Sequence, residues 1–455
     1  MCQALDAHGV GAFVYEIGPP FVLGADVARR RELRQALRSL QTAGYKLRAV
    51  WGRVWLPSQV ATSSVGYRVA TDFWIVDDRS TEPADRPSVN IGLWEPIGPV
   101  RSRLGHRSLE RLPLTSTPQV DALPGGRPFI EEVPTASDAT SAQFDIDLVF
   151  TWVDDSDPAW QAQRARFALP GEDDSGESST TSATASDGRS ELRFRNRDEL
   201  RYALRSVYRY ADWARHIFIV TAGQTPSWLT DHPKISVVPH TDILDEHYVP
   251  TFNSHAIESA LHRIPGLAEH FVYFNDDVML CRPTWPSTFF AGPHLPKVFL
   301  SRDRIPTTAG ERHTSVYTAG RNAAELVQRE FGRVPMFVPK HAPFALTKEL
   351  MGAIEERFGP SVAATRSARF RSDTDISTAA NMAGYVALLT GSGVTAELSA
   401  GYVSGGTRAR LEIDTVLAAS PYDTICVNDA GPATDQMVNE FLRQWMPYPA
   451  PWEHQ

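Results

Sequence analysis

Cysteine is scarce in this chain of 455 residues, which contains three, Cys2, Cys281 and Cys426. Three widely separated cysteines are too few for a disulfide framework, and their spacing matches no zinc-binding pattern. A long apolar run is also missing, since no stretch approaches the roughly 20 residues that span a bilayer. The first residues, MCQALDAHGVGAF, lack the charged start and apolar centre of a secretory signal. We therefore expect a cytoplasmic protein without a transmembrane segment, and peripheral membrane attachment stays open.

An excess of basic residues is absent as well, because the formal net charge is −9. Surfaces that bind nucleic acid are strongly basic, so we expect no nucleic-acid partner. The hydrophobic fraction of 42% and the charged fraction of 22% are ordinary for a globular protein. The length is sufficient for a large core and for more than one domain.

Two segments of biased composition stand out: one separates two predicted domains, and the other interrupts the second domain. Residues 112–143 are rich in Pro, Gly, Ser and Thr and are predicted to be a linker, whereas residues 170–190 contain no aromatic or branched aliphatic residue and are predicted to be a disordered insert. Residues 1–111 predict a small α+β domain, in which β-like runs follow one helix with apolar residues at helical spacing, Leu33, Ala36, Leu37 and Leu40. Residues 144–445 are assigned to a second, larger domain.

From Asp145 to about Leu280, apolar strands alternate with amphipathic helices. The predicted strands are IDLVFTWV, HIFIVT, KISVVP and HFVYFN, and the predicted helices are DELRYALRSVYRY and HAIESALHRI. This alternation predicts an α/β fold with a mainly parallel sheet, followed by a helical C-terminal part. Ligands of such sheets bind outside the carboxyl ends of the strands.

The first polar cluster, TWVDDSDP, follows the first of these strands and contains Asp154, Asp155 and Asp157. An acidic turn with a helix cap explains it, because Asp and Ser are common at both positions. Carboxylates at a strand end would equally accept hydrogen bonds from a nucleoside. The spacing alone leaves both interpretations open.

The second cluster interrupts the apolar run FVYFNDDVML at Asn275, Asp276 and Asp277. A carboxylate near the end of a buried strand is costly unless it meets a cation or several hydrogen-bond donors. Two adjacent acids supply the oxygen ligands that Mg²⁺ prefers, and Mg²⁺ also binds substrate phosphates. A surface turn is the alternative, and the pattern favours a metal or diphosphate site.

Three further segments contain residue types suited to phosphate chemistry. Asn253 precedes a predicted helix, where capping is the simpler role, although a helix N-terminus also attracts phosphate. His341 is a lone loop histidine, usually structural, but imidazole suits proton transfer near neutral pH. Arg369 and Arg371 lie two apart on an extended segment and would point the same way, either to clamp a phosphate or to pair with neighbouring aspartates, Asp373 and Asp375.

Four segments together resemble the conserved regions of the Stealth family: IDLVFTWVDDSDP, RFRNRDELRYALRSVYRYADWARHIFIVTAGQTPSWL, VPTFNSHAIESALHRIPGLAEHFVYFNDDVML and HAPFALTKELM with RFRSDTDI. The resemblance implies a Rossmann-like, nucleotide-sugar-binding core with Mg²⁺ or Mn²⁺. It implies transfer of a hexose-1-phosphate from a nucleotide diphosphosugar, of the UDP-N-acetylglucosamine type, to a hydroxyl of a cell-surface polysaccharide. A nucleoside monophosphate would leave. The N-terminal region resembles the extra domain of actinobacterial exopolysaccharide members.

The resemblance also implies roles for residues of this chain. It places Asp154 and Asp155 near the nucleotide, Asn253 and Asn275 near the donor, Asp276 and Asp277 at the metal and diphosphate, His341 as the base, Arg369 and Arg371 as the phosphate clamp, and Asn428 and Asp429, in the late CVNDA, as residues that complete the pocket. One departure is that Asp155 replaces the glycine of the family's usual Asp-Gly-Ser-Asp turn. The acidic insert after the first block is another.

Two other functions remain in view. A glycosyltransferase of the same fold would transfer the sugar without its phosphate and release a nucleoside diphosphate. A non-catalytic sugar-binding protein would keep the fold and lose the chemistry, but the complete set of acids, base and arginines favours an enzyme.

Overall fold

The structure is a computed structural model. It describes residues 2–10, 13–16, 21–51, 54–56, 72–76, 88–97, 100–103, 111–113, 144–167, 194–292, 294–306, 314–404, 409–419, 422–428, 432–446 and 449–454. The chain divides into two compact units. The first comprises Met1–Asp138, Asp414–Pro421 and Phe441–Tyr448, and the second comprises Ala139–Ile413, Tyr422–Glu440 and Pro449–Gln455.

The first unit combines helices with a mixed sheet. Its helices are α1 (Cys2–Ala7) and α2 (Arg30–Thr42), the latter preceded by a 3₁₀ turn (Val27–Arg29). Its strands are β1 (Phe13–Glu16), β2 (Phe21–Asp26), β3 (Lys46–Trp51), β4 (Val54–Leu56), β5 (Asp72–Val76), β6 (Ser88–Ile97), β7 (Val100–Arg103) and β8 (Arg111–Pro113). In the described residues the strand order is β1-β2-β6-β5-β3-β4, with β7 paired to β6 and to β8.

Helix α2 buries the four residues that its spacing predicted, Leu33, Ala36, Leu37 and Leu40. They join Leu23, Phe73 and Ile91 in one hydrophobic core. The helix ends before Gly44, whose φ of 92° is in the left-handed region that favours glycine. The α+β character predicted for this region is confirmed.

The second unit is built on a central sheet in the order β11-β10-β9-β12-β17. The strands are β9 (Ile146–Thr151), β10 (Ile217–Thr221), β11 (Ile235–Pro239), β12 (His270–Asn275) and β17 (Phe344–Thr347). All neighbours pair in parallel except β17, which is antiparallel to β12. The predicted α/β sheet is confirmed. The antiparallel edge strand was missed, because FALT is too short to distinguish from the start of the following helix.

Helices and short strands complete this unit. The helices are α3 (Pro158–Phe167), α4 (Glu199–Tyr210), α5 (Ser254–Glu258), α6 (Pro286–Phe289), α7 (Ser315–Phe331), α8 (Lys348–Arg357), α9 (Gly359–Ser367), a π-helical turn (Thr378–Met382) and α10 (Ala383–Thr390). Further 3₁₀ turns span His240–Asp242, Glu246–Tyr248 and Leu261–Arg263. Two later helices, α11 (Ala409–Ala419) and α12 (Pro432–Trp445), have residues in both units. The part of the chain that the structure describes has no helix both apolar and long enough to cross a membrane.

The chain leaves the central sheet after β12 and enters a second sheet of three strands. This sheet pairs β13 (Val278–Leu280) with β20 (Thr424–Asn428), and β20 with β19 (Ala400–Ser404). A third group joins β14 (Phe290–Ala291), β15 (Leu295–Arg304), β16 (Phe337–Pro339) and β18 (Val394–Ala396). Strands therefore lie between the helices of the predicted helical C-terminal part.

The predicted helix HAIESALHRI is wrong in one respect, because it is interrupted. Helix α5 ends at Glu258 and a 3₁₀ turn follows at Leu261–Arg263, although the apolar residues Ile257, Leu261 and Ile264 are all buried. The Arg366 guanidinium donates a 2.7 Å hydrogen bond to the carbonyl oxygen of Ser259. That oxygen would accept the next helical hydrogen bond from Arg263, whose amide donates to Ala260 instead.

Several predictions concern residues outside the described part of the chain. The insert at 170–190 lies there entirely, and so does the linker except for its first two residues, which belong to β8. Asp429 also lies outside it, and Asn428 is described by its backbone at the end of β20.

Candidate active site

The candidate site lies at the carboxyl end of β12, where the chain crosses from the central sheet to the second sheet. Asn275 is the last residue of β12 and aligns with Thr151 at the end of β9. Asp276 and Asp277 form the turn that follows, and Val278 begins β13. All three polar residues are partly buried, which is unusual for a plain surface turn. The strand ends meet here because parallel neighbours end at the same edge.

Three side chains from distant parts of the sequence converge on this turn. The Nε2 atom of His341 lies 3.5 Å from Oδ1 of Asp277. The Cys426 thiol donates a hydrogen bond of 3.4 Å to Oδ2 of the same carboxylate. One ligand atom from each of the three residues lies within 4.8 Å of the others. Two of the predicted site residues, Asp277 and His341, which come from separate motifs, are thus neighbours.

Cys426 reaches the site through the pairing of β13 with β20. Val278 aligns with Cys426, and the amide of Val427 donates to the carbonyl of Asp277 at 2.9 Å. The family resemblance pointed to Asn428 and Asp429 of the motif CVNDA and gave no signal for its cysteine. Only this strand pairing brings the thiol to the carboxylate.

Acidic groups are concentrated around the turn. Burial first, and then the charges of Asp277 and Glu199, raise the pKa of Asp276 well above its ordinary value. Burial likewise raises the pKa of Glu199, the first residue of α4, to about 7, although Arg197 opposes this shift. Carboxyl groups this close cannot all ionise without a counter-charge. The electrostatics therefore favour a cation beside Asp276 and Asp277.

The imidazole of His341 is 39% exposed, and the carboxylates of Asp277 and Glu258 both act on its pKa. Desolvation lowers its pKa, but the hydrogen bond and charge of Asp277 and the charge of Glu258 outweigh it, so the pKa lies above 6.5. Glu258 is buried, and its Oε1 accepts a 3.5 Å hydrogen bond from the hydroxyl of Tyr273. Tyr273 also lies 3.1 Å from the hydroxyl of Thr151. No signal in the sequence pointed to this buried polar group, because Tyr273 stands within the apolar strand HFVYFN.

Arg369 and Arg371 flank Phe370, which is buried and stacks on Phe252. Nη1 of Arg369 donates to the carbonyl of Pro250 at 2.6 Å, and its guanidinium lies over the ring of Phe167. Arg371 donates to two hydroxyls, those of Ser254 at 2.6 Å and Ser315 at 3.2 Å. Neither arginine forms an ion pair with Asp373 or Asp375 among the described residues. Their positive charges therefore remain without carboxylate partners there.

Helix α5 connects the arginine segment to His341, the histidine beside Asp277. Its first residue, Ser254, accepts the hydrogen bond from Arg371, and its last, Glu258, acts electrostatically on His341. Four residue steps of an α-helix cover about 6 Å. Arg371 and His341 thus approach opposite ends of one short helix, although they come from different segments of the chain.

Asn253 caps α5 and has its side chain fully buried. Its Oδ1 accepts from the amide of His255 at 3.1 Å, and its Nδ2 donates to Ala368 at 3.1 Å and to Asp375 at 2.8 Å. Asp375, also fully buried, accepts further hydrogen bonds from Ser372 and is 3.3 Å from Nδ1 of His255. Asp375 is therefore not a surface partner of the arginines but an anchor for their segment.

The acidic turn after β9 is held by hydrogen bonds within the protein. The Asp154 carboxylate accepts from the amide and hydroxyl of Ser156, and the Asp155 carboxylate accepts from the amide of Asn196 at 2.9 Å. Asp157 accepts from Gln224 and from the amide of Ala159 at the start of α3. Its pKa is lowered, mainly by the Gln224 hydrogen bond. Both roles open from the sequence, turn formation and ligand binding, remain compatible with the partly exposed Asp154 and Asp155.

The residues at the turn fit a divalent cation. Oδ1 of Asp277 is buried and has no hydrogen-bond partner of good geometry in the described residues. The neighbouring Asp276 carboxyl supplies further ligand atoms. So do the imidazole and the thiol of the triad that Asp277 forms with His341 and Cys426. Carboxylate oxygen, imidazole nitrogen and sulfur are all established ligands of divalent metals.

The fold and the site define an α/β protein with an acid–imidazole–thiol cluster at the carboxyl edge of a parallel sheet. Family models match the chain in three places: Stealth protein CR1, conserved region 1, at residues 144–168; Stealth protein CR2, conserved region 2, at 193–298; and Stealth protein CR3, conserved region 3, at 340–387. The chain belongs to the Stealth family. Its second matched region contains Asp277 and its third contains His341.

Curated proteins that are similar to this chain are named exopolysaccharide phosphotransferases. An exopolysaccharide phosphotransferase of Nocardia farcinica is 39% identical over 331 residues, which cover 70% of this chain and 63% of that protein. The exopolysaccharide phosphotransferase SCO2592 of Streptomyces coelicolor is 33% identical over 490 residues, covering 99% of this chain and 50% of that protein. The chain thus spans about half to two thirds of the length of these relatives.

A solved structure is also similar in part. The galactosyltransferase LgtC in complex with donor and acceptor sugar analogues gives a TM-score of 0.33 at 13% identity, over 67% of this chain and 96% of that chain.

Proposed function

We propose that this protein transfers a hexose-1-phosphate from a nucleotide diphosphosugar to a hydroxyl of a polysaccharide, with release of a nucleoside monophosphate. The observation that carries the proposal is the 3.5 Å approach of His341 to Asp277, which brings a base and an acid from two matched regions of the family into one site. The names of the curated relatives support phosphotransfer. A UDP-N-acetylglucosamine-like donor is the proposed substrate.

In the proposed mechanism His341 accepts the proton of the attacking hydroxyl. Asp277, at Nε2, orients the ring and stabilises the imidazolium that forms, which leaves Nδ1 to face the hydroxyl. The new oxygen–phosphorus bond forms at the β-phosphorus, and the bond to the leaving nucleotide breaks. Since the base must be unprotonated, turnover should fall as the pH drops through the pKa of His341, which lies above 6.5.

Positive charge is needed beside the oxygens of the transferred phosphoryl group, where negative charge is concentrated in the transition state. Arg371, fixed by Ser254 and Ser315, and Arg369, fixed by Pro250, are proposed to bind the phosphate oxygens. Asp276 and Asp277 are proposed to hold Mg²⁺ or Mn²⁺, which when bound would neutralise diphosphate charge. Asp154, Asp155 and Asn275 are proposed to contact the donor, Asn428 and Asp429 to complete the pocket, and Asn253 to act indirectly through the arginine segment.

The test is to incubate the protein with a panel of nucleotide sugars, an oligosaccharide acceptor and Mg²⁺ or Mn²⁺, and to identify the released nucleotide. The nucleoside monophosphate is the expected product. His341→Ala should lower kcat by at least ~100-fold, the usual contribution of a general base, and change donor binding far less. His247, an exposed histidine, gives the matched control variant His247→Ala, which should retain wild-type turnover.

Three results would count against the proposal. Undiminished turnover of His341→Ala would remove the histidine from its role as base. Release of a nucleoside diphosphate would identify the glycosyltransferase alternative, because the transferred group would then leave its phosphate behind. No turnover of any donor with any cation would instead favour a sugar-binding protein without catalysis.

A further inference from the structure

The thiol of Cys426 is the one element of the triad that the proposed reaction does not use. Mg²⁺ takes oxygen ligands almost exclusively, so a sulfur atom hydrogen-bonded to Asp277 adds nothing to a magnesium site. Thiolate and imidazole together with a carboxylate are instead typical of zinc and of other borderline or soft divalent ions. The chemistry of the triad therefore differs from that of the neighbouring carboxylate pair.

The geometry is close to what a tetrahedral ion requires. Zinc bonds of roughly 2.0–2.3 Å separate ligand atoms by roughly 3.3–3.8 Å. Nε2 of His341 lies 3.5 Å from Oδ1 of Asp277, and Sγ of Cys426 lies 3.4 Å from Oδ2 of the same carboxylate. One ligand atom from each of the three residues lies within 4.8 Å of the others. Small side-chain rotations would suffice to bring all three atoms onto one ion.

Access and charge also favour an ion at this position. His341 is 39% exposed and provides an entry route, whereas Cys426 is fully buried and provides a sulfur shielded from solvent. Oδ1 of Asp277 is buried without a hydrogen-bond partner of good geometry in the described residues. A bound divalent cation would satisfy that oxygen and would compensate the surrounding carboxylates.

We propose that Asp277, His341 and Cys426 form a three-ligand site for Zn²⁺ or a similarly thiophilic divalent ion, and that its occupation inhibits the enzyme. The inhibitory part rests on the proposed function: an ion on Nε2, the ring nitrogen beside Asp277, leaves the neutral imidazole protonated at Nδ1, so that Nδ1 cannot accept the proton of the hydroxyl. Binding replaces the S–H bond of Cys426 by a metal–sulfur bond and releases the proton to solvent. Three protein ligands leave the fourth position to water.

The binding test uses Co²⁺ alone as a spectroscopic substitute for Zn²⁺. Titration of the full chain should produce the near-ultraviolet charge-transfer band of a cobalt–thiolate bond, and added Zn²⁺ should abolish it. Cys426→Ser should lack the band, whereas Cys281→Ser, which changes another buried cysteine, should retain it. Absence of the band in the wild-type protein, or its persistence in Cys426→Ser, would overturn the proposal.

A second variant covers the case in which Cys426→Ser fails to fold. His341 is partly exposed, so His341→Ala leaves the core intact. Its Co²⁺ affinity should fall by at least ~10-fold, a loss that even outer partners of metal sites produce. An unchanged affinity would contradict ligation by His341.

The activity test is performed with Mg²⁺ at a saturating concentration. Zn²⁺ should inhibit the wild-type protein and Cys281→Ser alike, and a chelator should restore turnover. Cys426→Ser, compared with its own activity in Mg²⁺, should need at least ~10-fold more Zn²⁺ for the same inhibition. Turnover without any cobalt–thiolate band refutes the zinc site and leaves the function standing; a band without turnover refutes the function and leaves the ion site standing.

Discussion

At the scale of single residues, the same side-chain type takes quite different roles according to burial. Asp277 faces a histidine, a thiol and partial solvent, whereas Asp375 is fully enclosed by hydrogen-bond donors. Both are aspartates in short polar motifs, and both motifs were predicted to serve chemistry. The structure thus separates a carboxylate beside an imidazole and a thiol from one that anchors a segment.

Asn253 provides a test of this distinction. Asn253→Ala removes a helix cap and a hydrogen bond to the buried Asp375 carboxylate, so we expect a loss of about 3 kcal/mol in the free energy of unfolding. Guanidinium unfolding followed by tryptophan fluorescence measures this loss. The exposed Thr241 supplies the control, since Thr241→Ala should change stability by no more than about 0.5 kcal/mol.

The alternative for Asn253 is direct contact with the donor. That role predicts weaker donor binding by Asn253→Ala with unchanged stability. Such a result would exclude the anchoring role and restore the contact that the family resemblance implies.

At the scale of secondary-structure elements, one buried arginine explains where a helix stops. Arg366 is 3% exposed and donates to the hydroxyl and carbonyl of Ser259 and to both oxygens of Glu355. Glu355 also accepts from Arg263 and His262. Although burial opposes it, this set of donors, led by Arg366, lowers the pKa of Glu355 to about 2. The interrupted helix α5 and helices α8 and α9 are thus joined through one guanidinium.

We expect Arg366→Met to destabilise the protein by about 2–3 kcal/mol, below the 3–5 typical of a broken buried pair, because Glu355 keeps Arg263. The matched control is Arg357→Met, which breaks the exposed pair of Arg357 with Glu330 and should cost less than about 1 kcal/mol. Thermal or guanidinium unfolding of both variants gives the comparison. Equal losses would show that the buried network does not fix this junction.

At the scale of the whole molecule, buried titratable groups determine how stability depends on pH. Burial lowers the pKa of His240 from 6.5 to about 4. The unfolded chain therefore binds more protons between these values, and stability is lost as the pH falls from 6.5 towards 4. Glu199, whose pKa is raised to about 7, acts in the opposite direction, because its folded form holds a proton more tightly.

A His240→Gln variant isolates the histidine. From pH 7.5 to pH 5 the wild-type protein should lose about 2 kcal/mol through His240 alone, and the variant should not lose that part. Guanidinium unfolding at the two pH values, with the exposed His247→Gln as control, measures the difference. Parallel losses in His240→Gln and the wild-type protein would contradict a neutral, buried His240.

Much of the architecture follows from the sequence, since local hydrophobic periodicity is a property of neighbouring residues. The helix α2 with its face of Leu33 and Leu37, the parallel strands β9 to β12 and the polar turns at their ends were all predicted from pattern. The strand β17 and the break after Glu258 were not, because FALT is short and the break depends on Arg366, 107 residues beyond Ser259.

The sequence by itself determined which residue types are present and which side of each element is apolar. It also determined that acids follow β12, because Asp276 and Asp277 come just after its apolar run. Only the tertiary structure decided that Cys426, 149 positions beyond Asp277, donates to its carboxylate, and that His341 lies on its other oxygen. Contacts of that kind depend on strand pairing across the chain, and the free energy that selects the pairing is summed over the whole core.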